Sequence, residues 1–152
     1  MDIQVFGRTF MDTLIYGEQI HDAMIVETPG GSAFNAACGL SLLGYQTCLH
    51  AVVGTDHHSH QMVQTLSQYG VKTDYLIQKS GVSNRFIAKN DQAIAVQLAE
   101  EHQCFDEAEI KDVFGDFCLI FATETSMETI QALANKPFKG LVIDLGPKYA
   151  QR

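Results

Sequence analysis

The chain has 152 residues, 46% hydrophobic and 18% charged, with a formal net charge of -8. That length supplies one domain with a real hydrophobic core, and the composition excludes a disordered or fibrous chain. The acidic balance repels phosphate backbones and argues against a nucleic-acid partner, whereas a neutral sugar would feel little of it.

Ile3 to Phe6 reads as a short apolar strand ending at Gly7. Met11 to Tyr16 and Ala23 to Val26 are two more extended pieces, separated by the turn signals Gly17 and His21-Asp22. Pro29-Gly30-Gly31 predicts a turn. Ser32 to Leu43 is the clearest helix, with Ala33, Ala36, Ala37, Leu40 and Leu43 on one face. Its small residues permit close approach to a sheet, and Gly44 ends it. Thr47 to Val53 is a buried strand closed by Gly54. Asp56 is placed to cap a second helix that turns Met62, Val63, Leu66 and Tyr69 inward, and Gly70 closes it.

Asp74 to Gln78, Asn84 to Lys89 and Gln92 to Leu98 are short and extended, the last two joined at Asn90-Asp91 as a hairpin. Asp106 to Val113 reads as a helix and Phe117 to Ala122 as a buried strand. Ser126 to Ala134 is a helix capped by Ser126, with Ile130, Leu133 and Ala134 inward. Gly140 to Leu145 is the last apolar strand. Strands alternating with helices predict an α/β fold, a mainly parallel sheet flanked by helices. The extended pieces near 10–28 and 72–98 are expected to form a small separate antiparallel sheet. No repeat or linker divides 1–152, so a single domain is expected.

Cys38, Cys48, Cys104 and Cys118 form no C-x-x-C pair. Three lie in apolar runs, where Cys behaves as a small buried hydrophobe, and reduced thiols in a cytoplasmic protein are expected. The opening Met1-Asp2-Ile3-Gln4 lacks the basic and apolar regions of a signal peptide, and no apolar run approaches the ~20 residues of a membrane span. His57, His58 and His60 stand beside Asp56, with His50 nearby. Histidine spacing in zinc sites varies, but His57 and His58 point to different helix faces, and a solvated helix start is expected.

Gly30-Gly31 before a helix is by itself only a tight-turn signal. The ordered series is more specific. Gly30-Gly31-Ser32-Ala33-Phe34-Asn35-Ala36-Ala37 leads to Leu43-Gly44, a buried strand, and Gly54-Thr55-Asp56 opening a helix. Ala122-Thr123-Glu124-Thr125 follows a later strand, and Asp144-Leu145-Gly146-Pro147 the last one. This series resembles the ribokinase family, the PfkB carbohydrate kinases, whose signature is a G-G-x-x-x-N-x-A helix start with a later L-G and G-x-D. The similarity runs from Gly7 to Pro147.

The resemblance implies a ribokinase-like fold in which the small sheet is a lid over a sugar. It implies ATP-dependent phosphorylation of a hydroxymethyl group on a sugar or nucleoside, with Mg²⁺. Asp12 matches the family's hydroxyl-binding Asp, and a carboxylate accepts from two adjacent hydroxyls with charge-assisted strength. Gly30, Gly31 and Ser32 belong to the substrate-binding turn, where Gly31 lets the backbone come near the ring. Asn35, donor and acceptor at once, matches a sugar-contacting Asn. Glu124 matches a Glu near the phosphate and metal region. By residue type alone, Asp12 and Asn35 serve equally well as caps, and Glu124 as a solvated strand end.

Departures from the family are informative. Phe10 stands where ribokinase has Asn, two residues before the sugar-binding Asp. Its lack of a hydrogen-bonding group points to a different or less hydroxylated substrate. Ser59 replaces the usual Gly after G-x-D. The D-T-x-G-A-G-D motif, with its anion hole and catalytic Asp, does not occur, so the fold is expected to be truncated before the C-terminal ATP-binding part. No residue is therefore assigned as catalytic or metal-binding, ATP and Mg²⁺ are implied only for the full-length family, and no kinase activity is expected of this chain alone. The expected partners are a sugar or nucleoside-like small molecule and, through an open strand edge, a second chain or a homodimer. The competing reading is a non-catalytic polyol-binding or self-associating module.

Overall fold

The computed structural model describes residues 1–19, 21–99, 105 and 107–146. Cys104, Asp106, Pro147 and Lys148 to Arg152 lie outside the described residues. In chain order the elements are β1 (Asp2–Phe6), β2 (Phe10–Tyr16), β3 (Met24–Gly30), α1 (Ser32–Leu42), β4 (Gln46–Val53), α2 (His57–Gln68), β5 (Leu76–Gln78), β6 (Arg85–Lys89), β7 (Gln92–Gln97), α3 (Glu107–Ile110), β8 (Phe117–Phe121), a 3-10 turn (Ala122–Glu124), α4 (Met127–Ala134) and β9 (Gly140–Asp144).

Five strands form the main sheet in the order β5-β4-β1-β8-β9, all parallel. Parallel strands need a helical crossover, so both faces are clothed. The side-chain period of two divides each strand between two cores. Ile3, Val5, Leu49, Ala51 and Val53 meet Ala33, Phe34 and Ala37 of α1 and Met62 and Leu66 of α2. Phe6, Cys118 and Ile120 meet Ile110 of α3 and Ile130 and Leu133 of α4 on the other face. Asp56 caps α2 by accepting from Ser59 N–H, and Ser126 caps α4 by accepting from Thr129 N–H. Leu43, Tyr69 and Ala134, expected inward, are exposed because they sit at or beyond the last turn of their helices.

The second sheet has the order β3-β2-β6-β7. It is mixed and not purely antiparallel, because β2 and β6 pair in parallel. Two hairpins, β2–β3 and β6–β7, leave the main body separately and join side by side. Asn90 and Asp91 both adopt positive φ (46° and 64°), the tight hairpin turn their side chains tolerate. The expected lid stretch near 72–98 needs one correction: Leu76–Gln78 pairs with β4 in the main sheet. Pro29-Gly30 does not turn the chain. β3 runs through both residues as an edge strand, where a proline's missing N–H is tolerated, and the turn waits for Gly31 at φ 99°.

The far edge of the main sheet is uncovered. Leu141, Val142, Ile143 and Leu145 are all exposed, and no described strand pairs with the outer edge of β9. An apolar groove of about 460 Å³ runs along one face past Ile3, Leu40, Phe117, Leu119 and Val142. A second, of about 290 Å³, lies on the other face beside Ile130, Ile143 and Leu145.

Candidate functional site

The chain winds from β1 outward to β4 and β5, then returns to place β8 and β9 on the other side. The β1/β8 boundary is thus the switch point of the sheet, where open α/β folds hold ligands beyond the strand carboxyl ends. Gly7 and Arg8 follow β1 there, and the 122–124 turn follows β8. Arg8 N–H donates to Glu124 Oε2 at 3.0 Å, and the Ser32 hydroxyl and Ala33 N–H donate to the same carboxylate. Burial pushes the Glu124 carboxyl up, against the pull of these donors. Glu124 is therefore no solvated strand end. It caps α1 from across the sheet, where the N-cap Gly31 has no side chain to do so. A Cβ on Gly7 would lie 2.6 Å from Ala33 Cβ and 2.7 Å from Glu124 Oε2, so this junction closes only over glycine.

The Gly30-Gly31 pair answers two different demands. A side chain at Gly30 would collide with the Asp12 carboxylate. At Gly31 a Cβ would meet Phe10 Cδ2 at 2.9 Å and Arg8 O at 3.0 Å, on a backbone whose positive φ disfavours L side chains. Asp12 is half-buried above this turn with its carboxyl pushed up by burial.

These residues surround one cavity of about 370 Å³, lined by Phe10, Asp12, Gly31, Ser32, Asn35, Phe86, Val96 and Glu124. Asp12, Gly31, Ser32, Asn35 and Glu124 are thus brought together, and Gly30 lies directly behind Asp12. Sequence reasoning missed Phe86 and Val96. Their place follows from pairing alone: Asp12 is opposite Phe86, and Phe86 opposite Val96, so the three share a face of the second sheet.

Asp56 joins the approach to the second sheet to the main body. Besides capping α2, it accepts from the N–H of Ser83 at 2.8 Å and from its hydroxyl at 2.6 Å. Burial pushes its carboxyl up, but these bonds, Ser59 N–H and nearby His58 hold it below the ordinary aspartate range. Gly54 permits the approach, since a Cβ would lie 2.6 Å from Gly81 O.

Among the described residues no group of three or more His, Cys, Asp or Glu could hold a metal ion. His57 and His60 are exposed and His58 Nδ1 lies 3.9 Å from Asp56 Oδ2, while His50 is buried in the core. A bare triphosphate does not fit the described pocket. Its lining carries two carboxylates and neither Lys nor Arg, so a triphosphate would meet repulsion without a compensating donor.

The family model for pfkB family carbohydrate kinase matches residues 2–139. The chain belongs to the PfkB carbohydrate kinase family. It is 29% identical over 106 residues to the ribokinase of Bacillus subtilis (strain 168), covering 62% of this chain and 36% of that protein. An uncharacterized sugar kinase from Pyrococcus horikoshii superimposes with a TM-score of 0.76 at 15% identity, over 96% of this chain and 55% of its own. That kinase has also been solved in complex with ATP. The fructokinase of Vibrio cholerae O395, solved with fructose, ADP and a calcium ion, gives 0.75 at 17% identity over 93% of this chain and 49% of its own. This PfkB chain thus spans about a third of that ribokinase and about half of these structures. No helix among its described residues is long and apolar enough to cross a membrane.

Proposed function

We propose that this chain is the substrate-binding portion of a PfkB carbohydrate kinase, holding a sugar or nucleoside-like polyol at Asp12, Gly30, Gly31, Ser32 and Asn35. The observation that carries this reading is the convergence of Asp12, Gly31, Ser32, Asn35 and Glu124 on one pocket at the switch point of a PfkB fold. A buried sugar hydroxyl must find a hydrogen-bond partner. Asp12 accepts from two neighbouring hydroxyls, Asn35 supplies donor and acceptor, and the two glycines let the ring approach the backbone. Glu124 serves by fixing the start of α1, and with it Ser32 and Asn35.

In this reading the chain alone does not transfer a phosphoryl group. Transfer needs positioned phosphates, a metal and a base, and the described pocket offers no cationic group to hold phosphates. ATP and Mg²⁺ then belong with the remainder of the family fold. A coupled assay with ATP and Mg²⁺ across a panel of sugars and nucleosides tests this, and the expected rate is that of the ATP-only blank. Turnover above the blank that disappears in Asp12→Ala overturns it.

Self-association, or pairing with a second chain, is a companion reading. It is supported by the exposed β9 edge and the apolar grooves on both sides of it, since an open edge templates strand pairing and a bare apolar patch marks an interface. A two-fold homodimer is the simplest form. The buried free thiols of Cys38, Cys48 and Cys118 suit a reducing, cytoplasmic setting.

A further inference from the structure

We propose that the pocket selects a ribofuranoside bearing a planar ring with an apolar face, as in a nucleoside, over a sugar without one, and that Phe10, Phe86 and Val96 make the selection. The proposal rests on the sugar-site reading above and names the substrate class of that site. The pocket is two-sided. Gly31, Ser32, Asn35 and Glu124 belong to the main body and form a polar side. Phe10, Phe86 and Val96 belong to the lid sheet and form an apolar side, with Asp12 as the lid's one charged group in the lining.

Register fixes how far that apolar side extends. Asp12, Phe86 and Val96 are successive partners on β2, β6 and β7. Neighbouring strands lie about 4.8 Å apart, so the row is roughly 10 Å long. A single sugar ring anchored at Asp12 is shorter than this row and leaves Val96 uncovered, and Val96 is 53% exposed. A hydroxyl pushed against Phe10, Phe86 or Val96 would lose water and gain no partner. The ligand group that fills this side therefore presents an apolar surface to it, and the face of a flat ring gains further from offset stacking on phenylalanine, its polar edge left toward solvent. Phe10 is held in place for this, its ring seated against Gly31 where no Cβ fits. Two carboxylates and no cation in the lining disfavour an anionic ligand.

The test compares uridine with methyl β-D-ribofuranoside, which share the ribofuranose and differ in the anomeric group. Binding to the 152-residue chain is measured by calorimetry or NMR titration. Uridine should bind about tenfold tighter, the scale of one buried aromatic contact. Phe86→Ala should remove most of that advantage while leaving the methyl riboside nearly unchanged. Val96→Ser, at an exposed position, should reduce the advantage in part, and it secures the comparison if Phe86→Ala fails to fold. Asp12→Asn should weaken both ligands alike. Equal affinities for the two ligands, or equal losses for both in Phe86→Ala and Val96→Ser, refute the aromatic selection and leave the sugar site standing. Binding of neither ligand at millimolar concentration overturns the sugar site and this proposal together.

Discussion

His50 makes the stability of this fold sensitive to mild acid. The ring is 1% exposed, stacks on Phe6 with centroids 4.1 Å apart and planes 8° from parallel, and donates from Nε2 to Gln4 Oε1 at 2.7 Å. Burial pushes its pKa from 6.5 down to about 3. Between those values the unfolded chain takes up a proton that the folded chain refuses. Stability is therefore full above about pH 6.5 and falls as the pH drops toward 3. Each pH unit in that window costs up to about 1.4 kcal/mol, so about 2 kcal/mol is lost by pH 5. That is a large share of a small domain's ~5–15 kcal/mol. Urea unfolding at pH 7.5 and pH 5.0, for the parent and for His50→Phe, measures it. The variant keeps the stack on Phe6 but leaves Gln4 without its partner, an offset of about 1–3 kcal/mol that applies at both pH values and cancels. The parent should lose about 2 kcal/mol more than His50→Phe on acidification. Equal losses in the two proteins would refute the reasoning.

Three further outcomes follow from the geometry. Gly30→Ala should push aside the Asp12 carboxylate, a flexible side-chain end that gives way at little cost, and so strongly weaken sugar binding by titration while thermal unfolding changes little; its φ is not positive, so the effect is steric alone. Asp56→Ala should cost about 1–2 kcal/mol as a lost cap and speed hydrogen exchange in β6 and β7, because Ser83 is released from the body; unchanged lid protection would contradict that anchoring. Val142→Lys should shift light-scattering mass toward the monomer, with an unchanged oligomer placing the contact away from β9.

Much of the fold was legible because local chemistry and long-range packing agree. The alanines of α1 and the apolar runs of β1, β4 and β8 carry the periods of their elements, and Asp56 and Ser126 cap where their side-chain chemistry predicts. The site was legible in part. Asp12, Gly31, Ser32 and Asn35 sit in or near one ordered motif. Phe86 and Val96 have no local signal, since only the parallel pairing of β2 with β6 brings them to Asp12. That pairing joins hairpins far apart in sequence, and nothing in either hairpin announces it. The role of Glu124 was hidden for the same reason: its donor Arg8 is 116 positions away. Leu76–Gln78 is three residues long, too short for a period to reveal which sheet it joins.

The central claim is that the cavity between lid and body holds a polyol, and an NMR titration of the ¹⁵N-labelled chain with uridine tests it most directly. The account predicts saturable shifts at the amides of Gly31, Ser32 and Asn35, strongly weakened in Asp12→Asn. Shifts that avoid those three amides, or that persist undiminished in Asp12→Asn, would contradict it.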